Sequence, residues 1–459
     1  MAFSKDINWE VRTTGDDTNS GGFNSTATGV DYSQQDAPQY SLTGLTTAAA
    51  NAIVLSASAS SDMFGNVMNI TGGTNFITGW YEIIAVSVGV SMTVDRNCTS
   101  AAGAAGTCKI GGSFASVYRP LALEVPGNIS WIKYHSSNVY TITTKIPIVA
   151  VGNVTNGKIP WRGYDVSHGD DTGNRPNFTS STNGINLFDI GSAYGRIFQN
   201  MYFTHTAGTR GIAFEASNGG LGDVIIDNCI CSGCLNFIKA DNLGAEYNSV
   251  EVTISNCNIY SCTNYGIKLC GGGIYNCRIN ANAGGILVGA AGSPFYLHVN
   301  NNIISNNTNH GIDTTNDAWH INICNNIIYN NTGHGINNNA YVIGHLIQNN
   351  IFDSNAGYAI NFLSGANKST INRYNAYRNN GSGTINNLTS GSGDVSLTAD
   401  PFTNAAGGNF GLNAMVGGGA SLKNSGFPQT ILGSSTDTNT SFGIVENGGT
   451  TNVIIVEED

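Results

Sequence analysis

The chain has 459 residues, with 19 Lys and Arg against 30 Asp and Glu, a formal charge of −11. Charged residues are only 11% of the total, well below the usual share, while 41% are hydrophobic, 59 are Gly and about sixty are Asn. That apolar share suffices for a core and excludes wholesale disorder. The acidic balance, unbroken by a basic stripe, excludes a nucleic-acid partner. No apolar run is long enough to span a bilayer, so no membrane insertion is expected. The opening MAFSKDINWEVRTTG lacks an apolar h-region, so no secretory signal is expected and release would be by lysis of the producing cell.

Along the chain, the first element is a small β-rich module between Gly29 and Ala115. Its short β-prone runs (AIVLSA, NVMNITG, YEIIAVS, SMTVDR) alternate with Gly/Asn turns. Cys98 and Cys108 flank a small-residue stretch, residues 99–107, which reads as a loop. Whether a hairpin disulfide closes it depends on the compartment, and the sequence leaves both states open. From Ser116, the runs IPIVAVGNV, NGINLFDIGS and IFQNMYFTHTAGTRGIAF read as irregular coils with longer excursions.

From about Val224 to Tyr377 a repeat takes over. The stretches VNNNIISNNTNHGIDTT, CNNIIYNNTGHGINNN and QNNIFDSNAGYAINFL align Ile312, Ile336 and Ile360 at steps of 24 residues. The pairs Asn301-Asn302, Asn325-Asn326 and Asn349-Asn350 keep the same step, and Cys229, Cys257 and Cys277 hold the second Asn position in looser, earlier units. A period near 24 with short β-branched pieces and little Leu excludes helical solenoids and leucine-rich repeats. The expected fold is all-β, a parallel β-helix in which each coil gives two or three short strands. Apolar side chains then stack inward at a spacing of about 4.8 Å. Asn and Gly serve the turns, and stacked Asn side chains form ladders. Eight of the ten cysteines fall between Cys229 and Cys324 and read as small apolar fillers. The expected division is an N-terminal segment with the inserted module (residues 1–115), the β-helix (116–389) and a Gly/Ser/Thr-rich segment (390–459) that caps the last coils.

Two motifs carry a family resemblance. Residues Val11 to Gly22, with Gly15, Asp17, Asn19 and Gly21 in place, look like an opening V-x-x-x-G-x-D-x-N-x-G. Leu397-Thr-Ala-Asp-Pro-Phe402 with Gly408-Asn-Phe-Gly-Leu412 resembles a closing D-P-x-F … G-x-F-x-L, one residue short. Together they resemble the right-handed parallel β-helix proteins of the pectate-lyase-like class. The string from Gly72 to Ile83 further looks like a module of tailed-phage proteins. That resemblance implies a virion surface protein such as a tailspike, tail fibre or head decoration, a homotrimer with other virion proteins and host-surface polysaccharide as partners.

Acidic chemistry is thin. His168-Gly-Asp170-Asp171-Thr-Gly-Asn174-Arg175 is the densest charged string. Asp170, Asp171 and Arg175 are the candidate catalytic residues. Hard oxygen ligands at this spacing suit Ca²⁺, against a solvated loop in which Asp and Asn bond their own backbone. No other cofactor and no defined metal site is expected. Gly333-His334-Gly335 repeats the turn of Asn309-His310-Gly311 and reads as a turn first. Trp161, Tyr164, Trp319 and Tyr341 are candidates to stack on sugar rings. The sequence therefore predicts a phage virion surface protein that contacts host glycan without catalysis. The alternatives are a polysaccharide depolymerase, hydrolase or lyase, with carboxylates spread over adjacent coils, and a capsid decoration protein.

Overall fold

The structure, a computed structural model, describes the chain apart from residues 1–2, 50, 149–156, 171–173, 192–193, 217–221, 241–251, 290–295, 316–317, 340–341, 364–366, 424 and 427–459. The chain divides into two compact units. The first comprises residues 1–181, 192–204 and 222–229; the second comprises 182–191, 205–221 and 230–459. The fold is all-β, a right-handed parallel β-helix, as the repeat predicts.

In the first unit, strand Ile7–Val11 lies parallel to Ile129–Lys133, which pairs in turn with Ile159–Tyr164. Tyr194–Gln199 and Gly222–Asp227 continue the same sheet. Because strand side chains alternate, one face carries Trp9, Ser130, Trp161, Phe198 and Ile226, all buried. The opposite face carries Glu10, Trp131, Arg162, Gln199 and Asp227.

Between the first two of these strands stands an antiparallel sheet of six strands. Their order is Tyr40–Leu45, Thr99–Ile110, Val67–Phe76, Gly79–Ser87, Ser91–Val94 and Ile53–Leu55. It closes over Leu45, Val54, Met68, Ile70 and Ile83. The stretch read as a loop is thus the long strand Thr99–Ile110, paired on one edge with Tyr40–Leu45 and on the other with Val67–Phe76. Cys98 and Cys108 sit ten residues apart along that extended chain, far beyond disulfide reach, and both are free thiols.

The opening motif fastens this module down. Asp17 accepts the Ala115 and Ser116 N–H groups (3.0 and 2.9 Å) and the Ser116 hydroxyl (2.6 Å). Asn19 donates to the Ser113 carbonyl at 3.0 Å. Gly21, at φ 65°, lies against the Phe114 ring, where a Cβ would come within 2.2 Å.

In the second unit, three short strands per coil stack on those of the next coil. Ile267, Ile286, Ile312, Ile336, Ile360 and Ile385 follow one another in register across one sheet. The Asn pairs explain themselves at the turns. Asn301, Asn325 and Asn349 take the left-handed conformation (φ 59°, 57° and 56°), which Asn tolerates better than most residues. The following Asn of each pair is buried and builds a ladder. Asn302 donates its backbone and side-chain N–H groups to Oδ1 of Asn326 (2.9 and 3.1 Å). Asn326 does the same to Asn350, and Asn350 to Asn375. A second ladder runs Asn282, Asn307, Asn331, Asn355, Asn380. Cys277 donates its backbone N–H to Asn302 Oδ1 at 2.9 Å, so it does share the ladder register.

The closing motif forms a hairpin, Phe402–Asn404 against Asn409–Leu412. Phe402 and Phe410 meet edge to face at 5.2 Å, and the Phe410 ring lies 5.4 Å from that of Tyr329. They form one core with Ile303, Ile327, Ile351 and Ala376.

Candidate functional site

The residues singled out for chemistry are mostly occupied in holding the fold. Asp170 accepts the N–H groups of Asp165, Val166 and Ser167 (2.8, 2.6 and 2.9 Å). Partial burial pushes its carboxyl up, but these three bonds outweigh that and hold it below the usual range. Arg175 spends Nε and an η-nitrogen on the Asn228 carbonyl and Oδ1 (2.9 and 2.6 Å). Asp171 and Tyr341 lie outside the described residues. Among the described residues, no three His, Cys, Asp or Glu side chains converge to hold a metal, and Asp165 in this loop is bonded by Asn174.

Trp161 and Tyr164 correct the sequence reading. Trp161 is 0% exposed because it occupies the inward face of its strand, and its indole N–H donates to Glu124 at 3.0 Å. Glu124 in turn holds Arg196, also 0% exposed. Tyr164 points the other way but is sealed by its neighbours. Its hydroxyl bonds Glu10, and Glu10 also takes Arg12 Nε (2.8 Å) and His168 Nε2 (2.9 Å). His168 stacks on Trp131 at 4.3 Å. Every polar atom of the Glu10 carboxylate is engaged, so this cluster pins the 165–170 loop over the sheet and offers no open face. Trp319 alone of the described aromatic candidates is exposed, at 38%.

The outer face of one sheet in the second unit is different. Its outward register reads as an acidic pair (Asp189, Glu215) and a basic pair (Lys239, Lys268). Then come Leu287, Asp313 and an amide run of Asn337, Asn361 and Asn386. Asp313 accepts the Tyr265 hydroxyl at 2.5 Å on one oxygen and the Asn337 amide at 2.9 Å on the other. Asn361 donates to Asn337 (2.8 Å) and Asn386 to Asn361 (2.9 Å). Burial, then the Asp313 bond, push the Tyr265 phenol well above its ordinary value, so it stays a donor.

Beside this row stands a stack of rings. His310 and His334 lie 5.1 Å apart with planes 8° from parallel, and Tyr358 continues the stack 5.8 Å beyond His334. The His334 N–H donates to His310 Nδ1 (2.9 Å) and the Tyr358 N–H to His334 Nδ1 (2.8 Å). Gly333 makes room for this: a Cβ there would meet His310 Nδ1 at 2.4 Å. Burial pushes both imidazoles below their ordinary range, partly offset by the charge of Asp313. The result is a polar row of hydroxyl, carboxylate and amides at coil spacing, edged by half-buried rings. Its members were visible in the sequence as repeat positions, but their 24-residue separation hid that they form one surface.

Residues 247–380 match the family described as right handed beta helix region. No curated protein matches the sequence significantly. Among solved structures, pectate lyase Pel9A is 16% identical, with 73% of this chain and 90% of that one covered and a TM-score of 0.46. A rhamnogalacturonan lyase is 12% identical, over 64% of this chain and 86% of the other, at 0.38. The A-module of an Azotobacter vinelandii mannuronan C-5 epimerase is 13% identical, over 60% and 85%, at 0.33. These likenesses concern the fold.

Proposed function

We propose that the protein binds polysaccharide without cleaving it, along the outward face that carries Asp313, Asn337 and Asn361. The observation behind this reading is the row of amides at coil spacing, in which buried Asp313 and Asn337 bond each other and order the half-buried Asn361 and Asn386, flanked by the half-buried His310, His334 and Tyr358 rings. Sugar recognition needs that combination: hydroxyl-matching polar groups beside flat apolar surfaces. In finer terms, the chain is read as a surface protein of a tailed-phage virion, a homotrimer that meets host-surface glycan alongside other virion proteins. What supports this is the likeness of the Gly72–Ile83 string to a module of tailed-phage proteins, beside opening and closing strings that resemble the pectate-lyase-like β-helix class. The test is retention on immobilised bacterial capsule and lipopolysaccharide glycans, with reducing ends assayed in parallel. Retention lost in Asn361→Leu, assayed well below a melting temperature that the cut bonds to Asn337 and Asn386 lower, and without end release, is the expected result. No retention on any glycan would overturn the reading and leave the capsid-decoration role.

A second reading rests on Asp189 and Glu215, which stand in register on adjacent coils of the same face. Two carboxylates so placed are what a glycoside hydrolase requires. Release of reducing ends that both Asp189→Asn and Glu215→Gln abolish would make the protein a depolymerase.

A further inference from the structure

We propose that His310 and His334 are fixed as Nε2–H donors and that this pair selects neutral over acidic polysaccharide, reading acceptor oxygens on successive sugar residues. The proposal rests on the binding face described above and names its ligand class. Each Nδ1 accepts a backbone N–H from the following coil, so neither Nδ1 can carry a proton. A neutral imidazole then has its single proton on Nε2, at the far edge of the ring. Neither Nε2 has a partner among the described residues. The two rings lie nearly parallel at 5.1 Å, about one coil apart, so the face presents two like donors at a fixed interval.

Charge decides the ligand class. The groups near the rings are the Asp313 carboxylate, itself only 6% exposed, the Tyr265 hydroxyl on it, Tyr358 in the stack, and Lys268, two coils before Asp313 in register, whose ammonium lies 5.8 Å over the Tyr265 ring. Two neutral N–H donors do not compensate a uronate held beside that carboxylate, on a chain of net charge −11. A hydroxyl does better, since it accepts from Nε2–H without bringing charge beside the carboxylate and keeps its own hydrogen for a further bond.

The two ring nitrogens can be separated by substitution. Asn places an acceptor where Nδ1 stands, and Gln places a donor where Nε2 stands. Full-length protein with His334→Asn is therefore expected to keep its melting temperature and to lose about tenfold in affinity for neutral glycan. His334→Gln is expected to keep affinity and to melt earlier. The probes are hydroxyethyl cellulose, dextran and galactomannan against carboxymethyl cellulose, alginate and polygalacturonate. Two-bond ¹H–¹⁵N spectra of histidine-labelled protein read the tautomers without any ligand. A proton on Nδ1 of either ring, or full affinity in His334→Asn, would overturn the proposal. Preference for the acidic polymers would overturn the ligand class while leaving the binding face intact. If no polymer binds any variant, the binding face itself falls and the ligand class with it, whereas the spectra still decide the tautomers.

Discussion

Asn331 in the second unit and Arg196 in the first are both buried polar side chains, yet they are satisfied in opposite ways. Asn331 accepts from Asn307 and donates to Asn355, two copies of itself in the coils on either side. Arg196 bonds Glu124, which also takes the Trp161 indole, and nothing among the described residues of the unit repeats that arrangement. Repetition lets one residue type solve the same problem at every coil, so each solution has neighbours that reinforce it. A contact made once has no such support. Its loss strands a specific partner.

The difference predicts an order of effects. Glu124→Ala leaves a buried guanidinium without its carboxylate and is expected to cost about 3–5 kcal/mol in urea unfolding. A loss comparable to that of a ladder Asn would erase the contrast. Next comes His345, a single-use group inside the repeating unit. Burial, then the nearby His320 charge, push its pKa down to about 4 from 6.5. A depressed folded-state value means that its stabilisation is complete above pH 6.5 and is lost as pH falls toward 4, a total of roughly 3 kcal/mol. Unfolding free energies at pH 7 and pH 4.5 should show that slope, flattened in His345→Asn. The smallest effects belong to the ladders themselves. Asn331→Ala is expected to cost about 2 kcal/mol, because it leaves buried amides of Asn307 and Asn355 short of partners. Asn380→Ala, at the half-exposed end of the same ladder, is expected to cost less than about 1 kcal/mol. Equal melting temperatures for the two variants would show that position within a ladder does not matter.

What the sequence revealed follows the same line. Ile312, Ile336 and Ile360, and the three Asn pairs, are legible because a fixed step in the chain becomes a fixed register in space. The first unit has no such step. Glu10 and His168 meet at 2.9 Å across 158 residues, and although His168 opens the densest charged string, no local pattern points it to Glu10. Trp161 and Tyr164 looked available as aromatic residues able to stack on sugar rings, whereas they belong to strand Ile159–Tyr164. One is carried inward by alternation and the other is covered by a loop. Residues 99–107 looked like a loop because Ala and Gly disfavour strands, but two partner strands override that preference. The proposed binding face lay between these cases. Its positions could be read off the repeat, but its chemistry depends on which ring nitrogen each turn consumes.

In the ladder from Asn282 to Asn380 each Asn up to Asn355 gives its backbone and side-chain N–H groups to the next Oδ1, and each also turns its amide back onto a carbonyl of the coil before, as Asn331 does onto Ile304 and Asn380 onto Phe352. Such a chain of bonds can be cut and rejoined only at equivalent links. Deleting residues 325–348 would bring Asn302 against Asn350 and Asn307 against Asn355, whereas deleting a dozen would leave each ladder Asn without an Oδ1 at its own place in the next coil. Over evolutionary time the length of this region is therefore free to change in whole coils, and nearly frozen against any smaller step.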